Sequence, residues 1–180
     1  AITWRASAVF DWTNDISSYA TVSTGYRPGG PQLGNIQLVR TSPSPDDIVT
    51  DQSVLSFEPE QVTNYEAGIK GFLFDRRASF AFSAFWMDWE DVQFLVIDEF
   101  TGQTFTGNAE AEAKGIEVET QANITEGLSI SLAASYLDTE VLDIGNGDPN
   151  DPRVGQPLPH APKLSAAGIV SYERLLIQDV

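Results

Sequence analysis

The segment FEPEQVTNYEAGIKGFLFDRRASFAFSAFWMDWEDVQ, residues 57–93, contains two alternating runs, 63–72 and 79–89, separated by a short polar stretch. This pattern predicts an antiparallel β-hairpin with a tight turn. Small or apolar residues occupy the odd positions of the first run: Tyr65, Ala67, Ile69 and Gly71. The even positions are more polar: Asn64, Glu66, Gly68 and Lys70. The first strand therefore has one apolar face, whereas the second run has bulky residues at both parities and its register stays open.

The connections between the alternating runs follow a regular order, short then long, along the whole chain. Short polar turns are predicted at 13–17, 73–78 and 125–127, and long connections at 28–59, 90–113 and 137–162. Strands of about ten residues with short turns at one end and long loops at the other are typical of outer-membrane barrels. The predicted fold class is therefore all-β, an antiparallel up-and-down meander that forms part of a transmembrane β-barrel.

The run 114–124 alternates strictly, with Ile116 and Val118 on one face and Glu117 and Glu119 on the other. A carboxylate face cannot lie against hydrocarbon without a large desolvation cost, so it should face water inside the barrel. Aromatic residues cluster near the strand ends, which predicts two interfacial belts. The belt residues are Trp4, Tyr26, Tyr65, Trp86, Trp89 and Tyr136 at one end, and Trp12, Tyr19, Phe72, Phe80 and Tyr172 at the other.

Composition excludes several classes of function. The net charge of −16 makes nucleic acid a poor partner, because binding to phosphates requires clustered Lys and Arg. The chain has no cysteine and a single histidine, His160, so neither a thiolate metal site nor a hydrolase triad is expected. The segment 143–148 lacks the ligand spacing of a calcium loop and is better explained as a turn. We expect no catalytic residues, no metal site and no cofactor.

Five motifs in order resemble the barrel of TonB-dependent outer-membrane receptors. The first two lie before and within the central hairpin: YATVSTGYRPGG at 19–30, and FEPE at 57–60 with NYEAGIK at 64–70. The others are FWMDWEDVQ at 85–93, GNA at 107–109 followed by KGIEVE at 114–119, and GQPLPHAP at 155–162. Together they cover nearly the whole chain.

The resemblance implies a receptor in the cell outer membrane, with a barrel of about 22 strands plugged by a separate N-terminal domain. Such receptors bind scarce nutrients, such as ferric siderophores, cobalamin or glycans, and release them inward through the TonB complex. A ferric siderophore is the expected ligand, outer-membrane lipid and the TonB complex are the expected partners, and no enzyme activity is expected. The plug and the TonB-contacting segment do not occur in these residues, and Val180 is not a terminal aromatic. Residues 1–180 are therefore expected to be about a third of such a barrel.

Arg27, Glu66 and Lys70 are the candidate ligand contacts, because they are expected on water-facing sides near the long-loop end. Their alternative role is a charge ladder across neighbouring strands. Two other functions stay open at this point. One is a soluble extracellular β-sandwich that binds glycans or proteins, and the other is a β-rich hydrolase that uses loop carboxylates such as Asp88 and Glu90.

Overall fold

The computed structural model describes residues 2–32, 56–97, 104–145 and 150–174 of the chain, and all of its regular elements are β-strands. The first four strands are β1 Arg5–Asp11, β2 Ile16–Arg27, β3 Gly30–Pro31 and β4 Ser56–Phe57. The remaining five are β5 Glu60–Leu73, β6 Ala78–Ile97, β7 Thr104–Asn123, β8 Leu128–Asp143 and β9 Leu164–Tyr172. No helix in this described part of the chain is long and apolar enough to cross a membrane.

Seven strands form one antiparallel sheet in the order β1-β2-β5-β6-β7-β8-β9, and β3 pairs separately with β4. Each long strand therefore lies beside its neighbours in sequence, which confirms the predicted meander. The central hairpin also forms as expected, with Leu73 paired with Ala78 across its turn. The long connection expected at 90–113 is instead mostly strand, because β6 and β7 continue as a paired ribbon until Ile97 pairs with Thr104.

The two faces of the sheet differ in chemistry. The apolar face, as we call it below, includes the following side chains from β5 to β8: Ile69, Phe82, Ala84, Trp86, Ile116, Val118, Leu132 and Tyr136. No second layer of described residues covers this face, and Ile116 and Leu132 are 44% and 56% exposed. A soluble sandwich would bury these side chains, so that alternative is wrong. The open register of β6 is also settled, because Phe82 pairs with Ile69 on the apolar face.

The opposite side, which we call the polar face, carries the carboxylates and hydroxyls. Glu117 pairs with Ser83 and Ser135, and Glu66 pairs with Thr21. The sheet curves around this face, since one concavity of about 590 Å³ has walls from β2 through β9 and contains Lys70 and Glu119. The predicted arrangement, with carboxylates inside a curved sheet and aliphatic side chains outside, is confirmed.

Three residues of the expected aromatic belts lie on the polar face instead. Tyr19 pairs with Gly68, Phe72 with Ser79, and Trp89 with Val62, all on the side that carries Glu66. Tyr19 and Trp89 find hydrogen-bond partners there, which explains why a polar-tipped ring is tolerated on this side. The proposed loop carboxylates Asp88 and Glu90 lie within β6, paired with Thr63 and Gln61, so they are not loop residues.

Candidate functional site

The described ends of the connection from β2 to β5, residues 28–32 and 56–59, lie against β6 and β7 at the long-connection end of the sheet. The two ends pair as β3 and β4, with Gly30 opposite Phe57. The Gln32 side chain then attaches to β7, because its Nε2 donates to the Thr106 carbonyl at 2.7 Å and its Oε1 accepts from the Thr106 N–H at 2.9 Å. The Gln32 side chain therefore makes the same two hydrogen bonds to Thr106 that the backbone of a neighbouring strand would make.

Glu60 is the centre of a hydrogen-bonded group beneath this connection. Its carboxylate accepts from the Arg27 guanidinium, from Trp89 Nε1 at 3.0 Å and from the backbone N–H of Gln93 at 3.0 Å. The Glu60 side chain is only 11% exposed. A carboxylate so buried requires a cation and several donors, and here it has both. Glu60 is therefore a structural anchor, already occupied by protein donors.

The side chains of Gln93 on β6 and Asn108 on β7 bind the two described ends of the β2–β5 connection. Gln93 Nε2 donates to the carbonyl of Pro28 at 3.0 Å and to that of Glu58 at 3.2 Å. Asn108 Oδ1 accepts from the Glu58 N–H at 2.9 Å, while its Nδ2 donates to the carbonyls of Glu58 and Asp91 at 3.1 and 2.8 Å. We call Arg27, Glu60, Trp89, Gln93 and Asn108 the root cluster.

A β-bulge makes room for the root cluster. The pairing of β6 with β7 shifts between Trp89 and Val92, and Asp91 adopts a positive φ of 54°. The bulge withdraws the Asp91 carbonyl from the ladder, so that Asn108 can donate to it. On the polar face of β7, three small residues are buried: Ala109, Ala111 and Ala113 are 8%, 0% and 4% exposed.

A second depression of about 390 Å³ lies beside the root cluster, between β4, β7 and the end of β8. Its carboxylates come from Glu58, Asp91, Glu110 and Asp143, and Arg153 also lines it. No group of acidic and histidine side chains suited to a metal ion occurs among the described residues. At the same end, the pKa of Lys163 is raised because its ammonium donates to the Asp138 carboxylate at 3.1 Å.

The structure separates the three predicted ligand contacts. Arg27 lies at the long-connection end but pairs with Glu60, as expected for a charge ladder between β2 and β5. Glu66 lies nearer the middle and accepts a 2.5 Å hydrogen bond from the Tyr19 hydroxyl. Lys70 lies three residues from the β5–β6 turn, so its expected place near the long-loop end is wrong.

Sequence reasoning overlooked Glu60, Gln93 and Asn108 as site residues. All three lie inside the motifs FEPE, FWMDWEDVQ and GNA, which carried the family resemblance but assigned no role to these side chains. Their contacts cross between strands that are far apart in the sequence. Asn108 and Glu58, for example, are separated by 50 residues. A one-dimensional pattern does not contain that information.

A curved antiparallel sheet with an uncovered apolar face and a hydroxyl- and carboxylate-lined polar face defines a transmembrane β-barrel protein. The family model described as "TonB dependent receptor-like, beta-barrel" matches residues 1–178. The chain belongs to this family, whose members are outer-membrane proteins of Gram-negative bacteria. They are receptors and transporters rather than enzymes, so a hydrolase role for Asp88 and Glu90 is excluded.

Individual relatives agree with this assignment. The metal-pseudopaline receptor CntO of Pseudomonas aeruginosa is 27% identical over 173 residues, which cover 96% of this chain and 21% of that protein. The ferric yersiniabactin uptake receptor FyuA of Yersinia pestis has a TM-score of 0.65 and 23% identity, over 92% of this chain and 22% of that structure. The pyoverdine receptor FpvA of P. aeruginosa has a TM-score of 0.62 and 20% identity, over 92% and 21%. The chain thus spans about a fifth of these relatives.

Proposed function

We propose that these seven strands are one sector of a larger closed barrel that takes up a metal chelate, with a ferric siderophore as the ligand. The observation that carries the proposal is a sheet with one apolar and one polar face, in a chain that matches the receptor-barrel family over residues 1–178. Both β1 and β9 are edge strands, and open edges inside a membrane leave backbone groups without partners. Further strands would satisfy those groups.

The ligand class is supported by what the relatives are named for. CntO is a receptor for a metal chelate, FyuA takes up ferric yersiniabactin, and FpvA binds pyoverdine. The long-connection end fits the entry of such a ligand, because described segments of several connections meet there around a depression. Release of the ligand into the cell would require a plug domain and the TonB complex. As part of the same proposal, we assign this step to the whole receptor that contains these strands.

Ligand contact by Arg27, Glu66 and Lys70 stays a prediction. Arg27 has the best position of the three, at the long-connection end with about half of its side chain exposed (53%). Its contact with Glu60 leaves part of the guanidinium free for an anionic ligand group, since a guanidinium has five donors. Glu66 and Lys70 lie deeper along the polar face and would meet a ligand after entry.

The experiment is a binding panel on the intact receptor that contains this chain. Ferric complexes of a catecholate, a hydroxamate and an aminocarboxylate are titrated by intrinsic fluorescence, together with cobalamin and an oligosaccharide. Each chelator is also offered with a divalent metal, because CntO is named for a metal chelate rather than for iron. We expect one ferric chelate to bind with a Kd of about 1 μM or tighter. Binding of cobalamin or the oligosaccharide alone would overturn the ligand class.

A further inference from the structure

We propose that Asn108 and Gln93 are positioning residues that hold both ends of the β2–β5 connection against β6 and β7 before any ligand arrives. Each side chain bonds to the connection through more than one atom pair. The carbonyl of Glu58 accepts from both amides, so the two residues act on the same backbone unit. The role for ligand entry rests on the function proposed above, whereas the ordering itself does not.

The two ends of the connection are also packed backbone to backbone. A Cβ atom at Gly29 would lie 2.8 Å from the carbonyl carbon of Glu58 and 2.8 Å from the nitrogen of Pro59. Backbone atoms cannot move aside as the end of a flexible side chain does. Glycine is therefore required at position 29 for the approach, and this contact is independent of the two amide side chains.

The root cluster attaches this unit to the barrel wall. Gln93 uses its side chain on the connection and its backbone on the wall, where its N–H binds Glu60 and its carbonyl accepts from Arg27 at 3.0 Å. Asn108 binds both partners through its side chain, since the Nδ2 that donates to Glu58 also donates to the Asp91 carbonyl at the bulge. These bonds share partners and so form one network, whose members at Glu60 and Asp91 are half-buried. The described ends of the connection should therefore be as ordered as the strands beneath them.

Ordering at this end has a consequence for ligand binding. Ends of a connection that are already fixed lose no conformational entropy when a ligand contacts them, so preordering raises affinity. Weakening the root cluster should thus loosen the connection in the free receptor and lower affinity, with the barrel unchanged. A residue that merely stabilised the barrel would instead lower its unfolding temperature without a local effect.

The test is hydrogen–deuterium exchange on the ligand-free intact receptor, comparing wild type with Asn108→Ala, Gln93→Ala and Gly29→Ala. We expect the Glu58 amide to be protected in wild type and to exchange at least about tenfold faster in each variant, because several hydrogen bonds or a close packing contact are lost. Amides of β8 around Ala134 should not change. Asn123→Ala is the matched control, as this exposed asparagine lies on the same strand far from the root cluster.

Rapid exchange at Glu58 in wild type, or variants that accelerate exchange throughout the barrel, would overturn the positioning role. The link to binding is tested by titrating wild type and variants with the ferric chelate that binds best in the panel. We expect a three- to tenfold higher Kd in the variants, which corresponds to a loss of about 0.7–1.4 kcal/mol of binding free energy. Unchanged affinity with faster exchange at Glu58 would overturn the link to binding. If wild type binds none of the chelates, the proposed function fails, and the exchange comparison alone decides the positioning role.

Discussion

Two glycines on the polar face lie beneath aromatic rings of the neighbouring strand. Gly68 on β5 pairs directly with Tyr19 on β2, and Gly115 on β7 pairs directly with Phe85 on β6. A Cβ atom on either glycine would fall within 2.7 Å of ring atoms. The ring therefore occupies the space that a side chain would need, which lets the sheet curve tightly around its polar face.

Gly115→Ala should destabilise the receptor by about 1–3 kcal/mol, since the added methyl group overpacks this contact. Its Cβ would meet the Phe85 ring at 2.7 Å and the carbonyl oxygen of Tyr136 at 2.5 Å, and the carbonyl cannot move without disturbing β8. Gly168→Ala is the control, because its Cβ would meet the flexible end of Leu132 at 3.2 Å and the Ser131 carbonyl oxygen at an ordinary contact distance of 4.0 Å. Urea unfolding in lipid vesicles measures both, and equal losses would contradict the packing explanation.

The turn between β5 and β6 is the most strained element of the described chain. Phe74, Asp75 and Arg76 all have positive φ, at 56°, 54° and 65°. Contacts with neighbouring turns hold this conformation: Arg76 pairs with Asp15 at 3.0 Å, and Arg77 donates to the carbonyls of Asn123 and Ile124 at 3.1 and 2.7 Å. Three short turns at the same end of the sheet are thereby connected.

Phe74→Gly should stabilise the receptor by about 0.5–1 kcal/mol, because glycine adopts a positive φ without steric cost. Little burial is lost, as Phe74 is 76% exposed. The control is Ala78→Gly at the start of β6, outside the left-handed region, which should destabilise by a similar amount. Thermal unfolding in detergent shows whether each variant unfolds at a higher or a lower temperature than wild type. A lower unfolding temperature for Phe74→Gly would show that the turn is not under strain.

At the scale of the whole molecule, the sheet is stable only where each face meets its own solvent. The apolar face presents Phe82, Ile116 and Val118 in adjacent strands, and the polar face presents Glu66, Glu117 and Glu119 behind them. Lipid satisfies the first face and water the second, so the membrane takes the place of a second protein layer.

Val118→Arg should therefore destabilise the membrane-inserted receptor by about 2–4 kcal/mol, because the substitution places a charge in hydrocarbon. Glu117→Arg is the matched variant, one residue away on the same strand but on the polar face, and it should cost much less. Refolding yield and urea midpoints in vesicles measure the difference. Equal penalties at the two positions would contradict the assignment of the faces.

The fold was predictable because its signals are local. Alternation along a strand such as 114–123 fixes which side chains share a face, and polar stretches such as 73–78 mark the turns. The aromatic belts were less predictable. The face on which a ring lies depends on whether its residue has an odd or an even position along the strand, and not only on how near it is to the strand end. Tyr19, Phe72 and Trp89 show this, since all three lie on the polar face.

The sequence by itself determined the strands, their antiparallel order and the division into a lipid face and a water face, because each depends on a two-residue period and on turn chemistry. Only the tertiary structure decided what lies across the long-connection end. The bulge at Asp91, the carboxylate of Glu60 and the amides of Gln93 and Asn108 meet because distant segments converge there. Hydrogen bonds of that kind depend on position in space, which no periodic pattern along the chain records.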